Sequence, residues 1–579
     1  MLNFQTELTI YNKIWQILNK SQRIQVWYLF ILLFIGMLLE MLGIGIIIPI
    51  LGIVLNPNFV NKYEVVSDLF KLLGNPGPNL IIYYGMFFLI LIYLIKTIFL
   101  IFLSWKQSAF IVNLSSFLSR KMYTGYMNQE YSFHLNKNSA QLGSYIMGEV
   151  GLFTNVLLSI VNLILEITTI LGVTLVLFLV EPKGSIIVVM FLFTASIIFH
   201  RITRKRLLDW GKTRQLHQIE LTKNLYQGLN GIKDILILNR LKYFIENFNH
   251  NLLKSAKTQI KVNTLNLVPR LYLEFLAVLG LAGLILIMVS QGKSFENLLP
   301  TLGVFVAAAF RMIPSANRII ASNQQIRYAK PAVNLLYEEH LFLNNKLSNY
   351  RECTQNFVFE SKIEIKNIKF IYDNQNKHSI NDISLNIEKG SSIGLIGVSG
   401  SGKSTLVDIF LGLLKPQQGE ILVDGVSIYE NLGSWKSKIG YVPQVIYLTD
   451  DTLLRNIAFG ISDEEINFDA VKKAIDAAQL TDFIESLENK LETGVGERGV
   501  RISGGQRQRI GIARALYHDP EILVLDEATS ALDIETEQEV MKAIDSLKGE
   551  KTMLIVAHRL STLEKCDYIL ELRNGSINN

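Results

Sequence analysis

The chain has 579 residues, 49% of them hydrophobic and only 18% charged, with a formal net charge of +5. Mean hydropathy is +0.29, which excludes an ordinary soluble globule, and the length calls for at least two domains. The basic residues cluster between apolar stretches, at Arg201, Arg204, Lys205, Arg206, Lys212 and Arg214, so the positive charge reads as membrane topology and excludes a nucleic-acid partner.

In chain order, Ile14, Trp15, Ile17 and Leu18 lie among polar residues and predict a short helix at the membrane surface. No cleavable leader is expected, because the first apolar run exceeds signal-peptide length. A helix needs roughly 20 apolar residues to cross a bilayer. Six stretches meet this requirement: Val26 to Leu55, Leu80 to Trp105, Phe153 to Val180, Ser185 to Arg201, Leu265 to Ser290 and Leu298 to Ile320. The connections Lys106 to Leu152 and Ile202 to Thr264 are long, basic and helix-favouring, whereas the turns near Pro182 and Gly292 are short. The long connections and both termini are therefore expected in the cytoplasm. Asn58 to Leu73, between Pro57 and the turn-rich Gly74 to Pro78, is expected to form either an amphipathic surface helix or an ordered loop.

Cations interrupt the apolar spans: Lys96 in the second, Arg270 in the fifth, and Arg311 and Arg318 in the sixth. A charge at a helix centre costs about 3 kcal/mol on insertion scales, so such side chains should face water or a partner. Arg311 and Arg318 are two turns apart and share a face. Arg270 could pair with Glu274 one turn on, and Arg318 could snorkel to the interface. With few matching acids in view, an anionic substrate accounts for all four cations.

Beyond about Ile320 the pattern changes to short apolar runs broken by Gly, Asp and Lys, as in a soluble α/β domain. The expected organisation is a transmembrane domain over 1–330, a linker over 331–360 and a nucleotide-binding domain over 361–579. Cys353 and Cys566 lack metal-ligand spacing and have no expected chemistry.

Ser392 to Thr405 reads SIGLIGVSGSGKST, a strand entering the P-loop pattern Gly397-x-x-x-x-Gly402-Lys403-Ser404. Backbone amides of Gly397, Ser399, Gly400, Ser401 and Gly402 would wrap phosphate oxygens at the start of a helix that continues through Thr405. Lys403 would reach the β- and γ-phosphates, and Ser404 would ligate magnesium. Glu521 to Asp533 reads EILVLDEATSALD, an apolar strand ending in two carboxylates. Asp526 would hold magnesium directly or through water, and Glu527 would orient and polarise the attacking water. Ile502 to Gln506 places Ser503, Gly504, Gly505 and Gln506 at another helix N-terminus, suited to a second phosphate contact.

ISGGQ resembles the LSGGQ signature of ABC transporters, with Ile502 departing conservatively at the first position. That resemblance spans roughly the whole chain. It implies a membrane all-α six-helix domain plus an α/β P-loop ABC domain, the fold of a type IV exporter half-transporter. Tyr372 in FIYDN resembles the aromatic residue that stacks on adenine. Gln444 in YVPQ resembles the Q-loop glutamine, implying roles in catalysis and magnesium binding. His558 in VAHRLS resembles the histidine that contacts the γ-phosphate, and Asp533 resembles the D-loop aspartate. The resemblance further implies ATP and Mg2+ as cofactors, and a homodimer in which each ATP lies between one subunit's P-loop and the other's signature.

FRMIPSANRII at Phe310 to Ile320 and VPRLYLE at Val268 to Glu274 resemble PglK-type lipid-linked oligosaccharide flippases, with Lys96 where that family is expected to carry arginine. This implies translocation of a polyprenyl-pyrophosphate-linked oligosaccharide across the bacterial inner membrane, for protein glycosylation or surface polysaccharide assembly. Lys96, Arg270, Arg311 and Arg318 would contact the pyrophosphate, and the membrane lipid would accommodate the tail. The alternative is an ABC exporter of another lipid, a lipopolysaccharide precursor, a peptide or an amphipathic drug. An ATP-gated channel or regulator has no positive sign in the sequence.

Overall fold

The computed structural model describes residues 9–55, 78–180, 182–290, 295–347, 358–372, 377–529, 532, 534–557 and 559–578. The segment Asn58 to Leu73 and Cys353 lie outside these residues. The chain divides into two compact units. The first comprises Met1–Gln129 and Asn136–Asn349, and the second Glu130–Leu135 together with Tyr350–Asn579.

The described residues of the first unit carry only helices as regular elements. Helix α1 (Ile10–Ile17) precedes α2 (Lys20–Leu55) and α3 (Pro78–Met127). The short α4 (Tyr131–Asn136), all but its last residue assigned to the second unit, is followed by α5 (Ser139–Ser144), which leads through one π-helical turn, Tyr145–Glu149, into α6 (Val150–Val180). Then follow α7 (Pro182–Asn230), α8 (Ile232–Ile237), α9 (Leu241–Ser290), α10 (Phe295–Tyr328) and α11 (Lys330–Leu347). Helices α3, α7 and α9 contain 50, 49 and 50 residues, about 75 Å each at 1.5 Å per residue. A bilayer core is roughly 30 Å thick, so each continues well past the apolar stretch that predicts its span. Among the described residues, Lys20–Gly43, Tyr83–Met127 and Ser139–Leu175 are long and apolar enough to cross a membrane.

Burial explains how the helices associate. Leu32 and Leu33 of α2 meet Leu103 of α3 and Val161 of α6, and Leu273 of α9 meets Ala316 and Ile320 of α10. At Gly211 of α7 a Cβ would stand 2.1 Å from the Tyr328 carbonyl oxygen, so only glycine permits this approach of α7 to the end of α10. The stretch 331–360, expected as a linker, is helical from its start through Leu347. There α11 is tied to α1 by Lys13 Nζ donating to Asn334 Oδ1 at 2.8 Å and by the Tyr337 hydroxyl donating to Gln16 at 2.7 Å.

The second unit carries two sheets. Strands β1 (Lys362–Phe370), β2 (Ile380–Glu388), β4 (Gln418–Val423) and β5 (Val426–Ser427) form an antiparallel sheet in the order β2-β1-β4-β5. The larger sheet has the order β10-β9-β3-β8-β7-β6. It uses β3 (Ser392–Ile396), β6 (Ile439–Val442), β7 (Ile522–Asp526), β8 (Thr552–Val556), β9 (Tyr568–Arg573) and β10 (Ser576–Asn578). All its pairings are parallel except β9 with β10. Every residue of β7 and β8 is buried, as in a parallel sheet covered on both faces. One core joins Ile363, Ile365, Phe410 and Trp435 to Val524 and Val556. Trp435 sits edge-on to Phe410 and donates its indole N–H to the Phe410 carbonyl at 2.8 Å.

The candidate nucleotide site

The C-terminal ends of β3 and β7 are neighbours across β8, so the loops that leave them converge on one edge, where α/β sheets bind ligands. From β3 the chain passes through Gly397 to Gly402 into helix α12 (Lys403–Phe410). Gly402 has φ +106°, and a Cβ there would lie 2.6 Å from the Ser379 carbonyl oxygen. The turn that aims the helix N-terminus therefore requires glycine. Lys403 is buried, and its ammonium donates to the carbonyls of Gly397 at 2.8 Å and Val398 at 3.3 Å. These are charge-assisted donors of the kind that phosphate oxygens accept from.

Strand β7 ends in Asp526, which is 8% exposed. Burial, and then the Glu527 charge, push its carboxyl pKa up, while Lys403 pulls it down. Glu527 adopts the left-handed conformation at φ +50°, which few residues other than glycine occupy. This turn is anchored by the Glu527 N–H donating to Val556 O at 2.9 Å. It sends the side chain to Gln444, whose Nε2 donates to Glu527 Oε2 at 2.6 Å. Lys403, Ser404, Thr405, Gln444 and Glu527 line one cavity of about 420 Å³, with Ser399, Gly400 and Gly402.

Asp408, one turn beyond Ser404, is a carboxyl that sequence reasoning passed over. Burial, and secondarily Asp526, raise its pKa to about 6. Lys377, His378 and Asn574 also line the cavity. No motif marks them, because loops distant in sequence deliver them to the β3 edge. Asp526 acts electrostatically on Asp408, and Glu527 on Asp526. The Ser404 hydroxyl, the Gln444 amide oxygen and the Asp526 carboxylate are hard oxygen donors of the kind that fits magnesium. Among the described residues no cluster of three His, Cys, Asp or Glu side chains forms a metal cage.

Tyr372 packs edge-on against Phe370, 4.9 Å between ring centroids, and its hydroxyl lies 3.2 Å from Thr405 Oγ1, which sets the ring beside the P-loop helix. Ser503 caps helix α13 (Gly504–Leu516) in a reciprocal capping box. Gln506 N donates to Ser503 Oγ at 3.2 Å, and Ser503 N donates to Gln506 Oε1 at 3.0 Å. Ser503, Gly504, Gly505 and Gln506 do not line the cavity formed around Lys403. Ser401 is buried, with Oγ unpartnered. Gly397 leads the loop at φ +154°. Asp533 and His558 lie outside the described residues.

In the membrane unit the expectation of cations with few matching acids needs correction. Lys96 pairs with Glu40 of α2 at 3.1 Å, both side chains being buried, and its ammonium lies 4.8 Å from the Tyr93 ring centroid. Arg318 pairs with Glu166 of α6 at 2.6 Å, and Arg270 with Glu274 at 2.9 Å. Glu40 and Glu166 are lone acids in apolar runs, a signal visible in the sequence. Which cation each would meet depended on helix packing. Arg311 lies in α10, and its side chain is outside the described set.

Two family models match the chain: "ABC transporter transmembrane region" over residues 26–307 and "ABC transporter" over 380–530. The chain is 31% identical over 465 residues to the ATP-dependent lipid A-core flippase of Paraburkholderia xenovorans, covering 79% of this chain and 77% of that protein. It is 32% identical over 488 residues to the flippase of that name from Wigglesworthia glossinidia brevipalpis, covering 82% and 81%. A bacterial Atm1-family ABC exporter solved with ATP bound superposes with a TM-score of 0.75 at 21% identity, over 97% of this chain and 95% of that one. With a helical membrane unit, a P-loop α/β unit and a carboxylate poised at the phosphate edge, the chain belongs to the ABC transporter family, as a half-transporter that couples ATP hydrolysis to export across a membrane.

Proposed function

We propose that the protein is a homodimeric flippase of the bacterial inner membrane, moving a lipid with an anionic phosphate-bearing headgroup at the expense of ATP and Mg2+. A polyprenyl-pyrophosphate-linked oligosaccharide is our preferred cargo. The observation that carries this reading is the placement of ion pairs inside apolar spans, Lys96 with Glu40 and Arg318 with Glu166. Removing water from such charges is expensive, so they are expected where a charged group must pass. A guanidinium or ammonium held by a carboxylate can be handed to a phosphate oxygen without ever being left bare. Lys96, Arg270, Arg311 and Arg318 are the proposed headgroup contacts, and the motifs around Arg270 and Arg311 favour the pyrophosphate-linked cargo.

Dimerisation is supported by the separation of the Ser503–Gln506 helix N-terminus from the cavity around Lys403, since a second subunit would complete each ATP site. Magnesium would be held by Ser404, Gln444 and Asp526, and would stabilise charge developing on the phosphates. The names of the relatives favour a second reading, in which the cargo is a lipid A-core glycolipid.

The test reconstitutes purified protein with fluorescent lipid-linked oligosaccharide or fluorescent lipid A-core, each beside a Glu527→Gln control. ATP-dependent loss of headgroup accessibility for the oligosaccharide lipid alone supports the preferred cargo. Movement of lipid A-core alone selects the second reading, and brisk ATPase without movement of either rejects both.

A further inference from the structure

We propose that a cavity enclosed by α6, α7 and α10 within one protomer binds a single hydrocarbon chain of an anionic lipid, with the lipid's phosphate against Arg327. This rests on the lipid-export reading and adds a site separate from the paired cations Lys96, Arg270 and Arg318.

The cavity has a volume of about 500 Å³, within the range that encloses small ligands. Most of its wall is apolar, formed by residues such as Ile167, Leu171, Phe193, Met312 and Ile320. Met312 and Arg327 both line it and lie about 22 Å apart along α10 at 1.5 Å per residue, so it is elongated along the helix. Such a shape suits an extended chain.

Its polarity is concentrated at one end. Arg327 donates from its terminal guanidinium nitrogen to His200 Nε2 at 2.8 Å, and the Asn323 amide lies 3.1 Å from His200 Nδ1. A guanidinium can only donate, so Nε2 must accept and His200 is neutral there. Arg327 thus rests on an uncharged partner, and among the described residues it has no carboxylate within ion-pair distance. Arg204 adds a further positive charge felt by both His200 and Arg327.

Hydrogen-bonding capacity is also left over at this end. Arg327 Nε is buried without a partner. An unpaired buried donor carries a desolvation penalty that a ligand oxygen relieves. A cation without an acid, a spare N–H and a long apolar wall together specify an anion joined to a hydrocarbon chain. The uncompensated charge separates Arg327 from Lys96, Arg270 and Arg318, each of which already has a carboxylate.

The experiment uses the full chain bearing Glu527→Gln, in phosphatidylcholine nanodiscs, so that binding is read without transport. A diazirine-bearing monoacylglycerol phosphate and the matching uncharged monoacylglycerol are photocrosslinked, and the labelled peptides are mapped. The anionic probe should label Ile167–Thr174 or Met312–Arg327. Labelling should fall at least about tenfold in Arg327→Gln, the loss of one charge-assisted contact, and recover substantially in Arg327→Lys. Ala316→Trp, which fills the cavity, should abolish it. Competition with undecaprenyl phosphate or with phosphatidic acid identifies which phosphate lipid is preferred, and displacement by neither overturns the proposal. Equal labelling by the uncharged probe overturns the headgroup assignment, and no labelling of these segments overturns the site. Intact labelling of the Glu527→Gln chain together with failed lipid flipping by the wild-type chain would sink the transport reading alone. Intact flipping by the wild-type chain without labelling of the Glu527→Gln chain would sink this site alone.

Discussion

Gln444 donates a 2.6 Å hydrogen bond to Glu527, joining the loop after β6 to the residue that follows β7. Glu527 reaches this partner through a left-handed backbone turn, and residues held in such sparsely populated conformations cluster at functional sites. The carboxylate is thereby oriented at the cavity that also holds Lys403 and Ser404. Strand ends on one rigid sheet position all of these groups.

Glu527→Gln should lower ATP hydrolysis by at least about 100-fold, the scale of removing one preorganised charge-stabilising group. Binding of a fluorescent ATP analogue should persist, because Lys403 and the P-loop amides are untouched. Residual hydrolysis near the wild-type rate would remove Glu527 from the chemistry.

Asp424 ties the start of β1 to the β4–β5 turn. It accepts from the backbone N–H of Glu360, Ser361 and Lys362 at 2.6, 3.0 and 2.9 Å and from the Ser361 hydroxyl at 2.7 Å. Burial opposes ionisation, but these donors together outweigh it and hold the carboxyl at about 2. With the folded pKa below the unfolded value of about 3.9, the stabilisation is full above pH 4 and lost as pH falls toward 2. Asp424→Asn should lower the unfolding temperature of the nucleotide-binding domain by about 2–4 °C at pH 7. The difference from wild type should shrink at pH 3, and a constant difference across that range would refute the linkage.

Asp408 has the opposite sign. Its folded pKa, about 6, lies above the unfolded value, so the native state binds the proton more tightly and loses stability as pH rises from about 4 to 6. In nucleotide-free protein, Asp408→Asn should therefore raise the unfolding temperature at pH 7.5 and have little effect at pH 4. A variant less stable than wild type at pH 7.5 would show that the carboxylate is compensated.

Glu149 is fully buried in the π-helical turn before α6, where Arg214 of α7 donates both terminal nitrogens to it at 3.0 and 2.9 Å. Breaking one side of such a pair leaves an uncompensated buried charge, worth about 3–5 kcal/mol. Glu149→Leu should sharply lower the thermal stability of the detergent-solubilised chain, and the double variant Glu149→Leu/Arg214→Met should recover most of it. A double variant as unstable as the single one would assign the effect to packing.

Each motif of the ATPase half is a short contiguous run. SIGLIGVSGSGKST is a buried strand, a glycine turn and a helix start in that order, and local sterics suffice to form all three. The membrane helices are equally local, because an apolar run in lipid must satisfy its backbone internally and α-helix does so residue by residue. The lengths of α3, α7 and α9 were less legible, since their polar continuations carry no such constraint.

Pairing was decided only by the tertiary structure. Lys96 and Glu40 are 56 positions apart, and Arg214 and Glu149 are 65, distances at which periodicity and propensity say nothing about contact. The same holds for Asn574, carried to the cavity around Lys403 by the order of strands, and for Arg327, which among the described residues meets His200 of α7 and no carboxylate. By itself the sequence determined which stretches form long apolar helices and which loop forms a glycine-rich turn into a helix, because the chain's local chemistry dictates both. Which cation meets which carboxylate depended on side chains brought together from distant segments, and only packing specifies that.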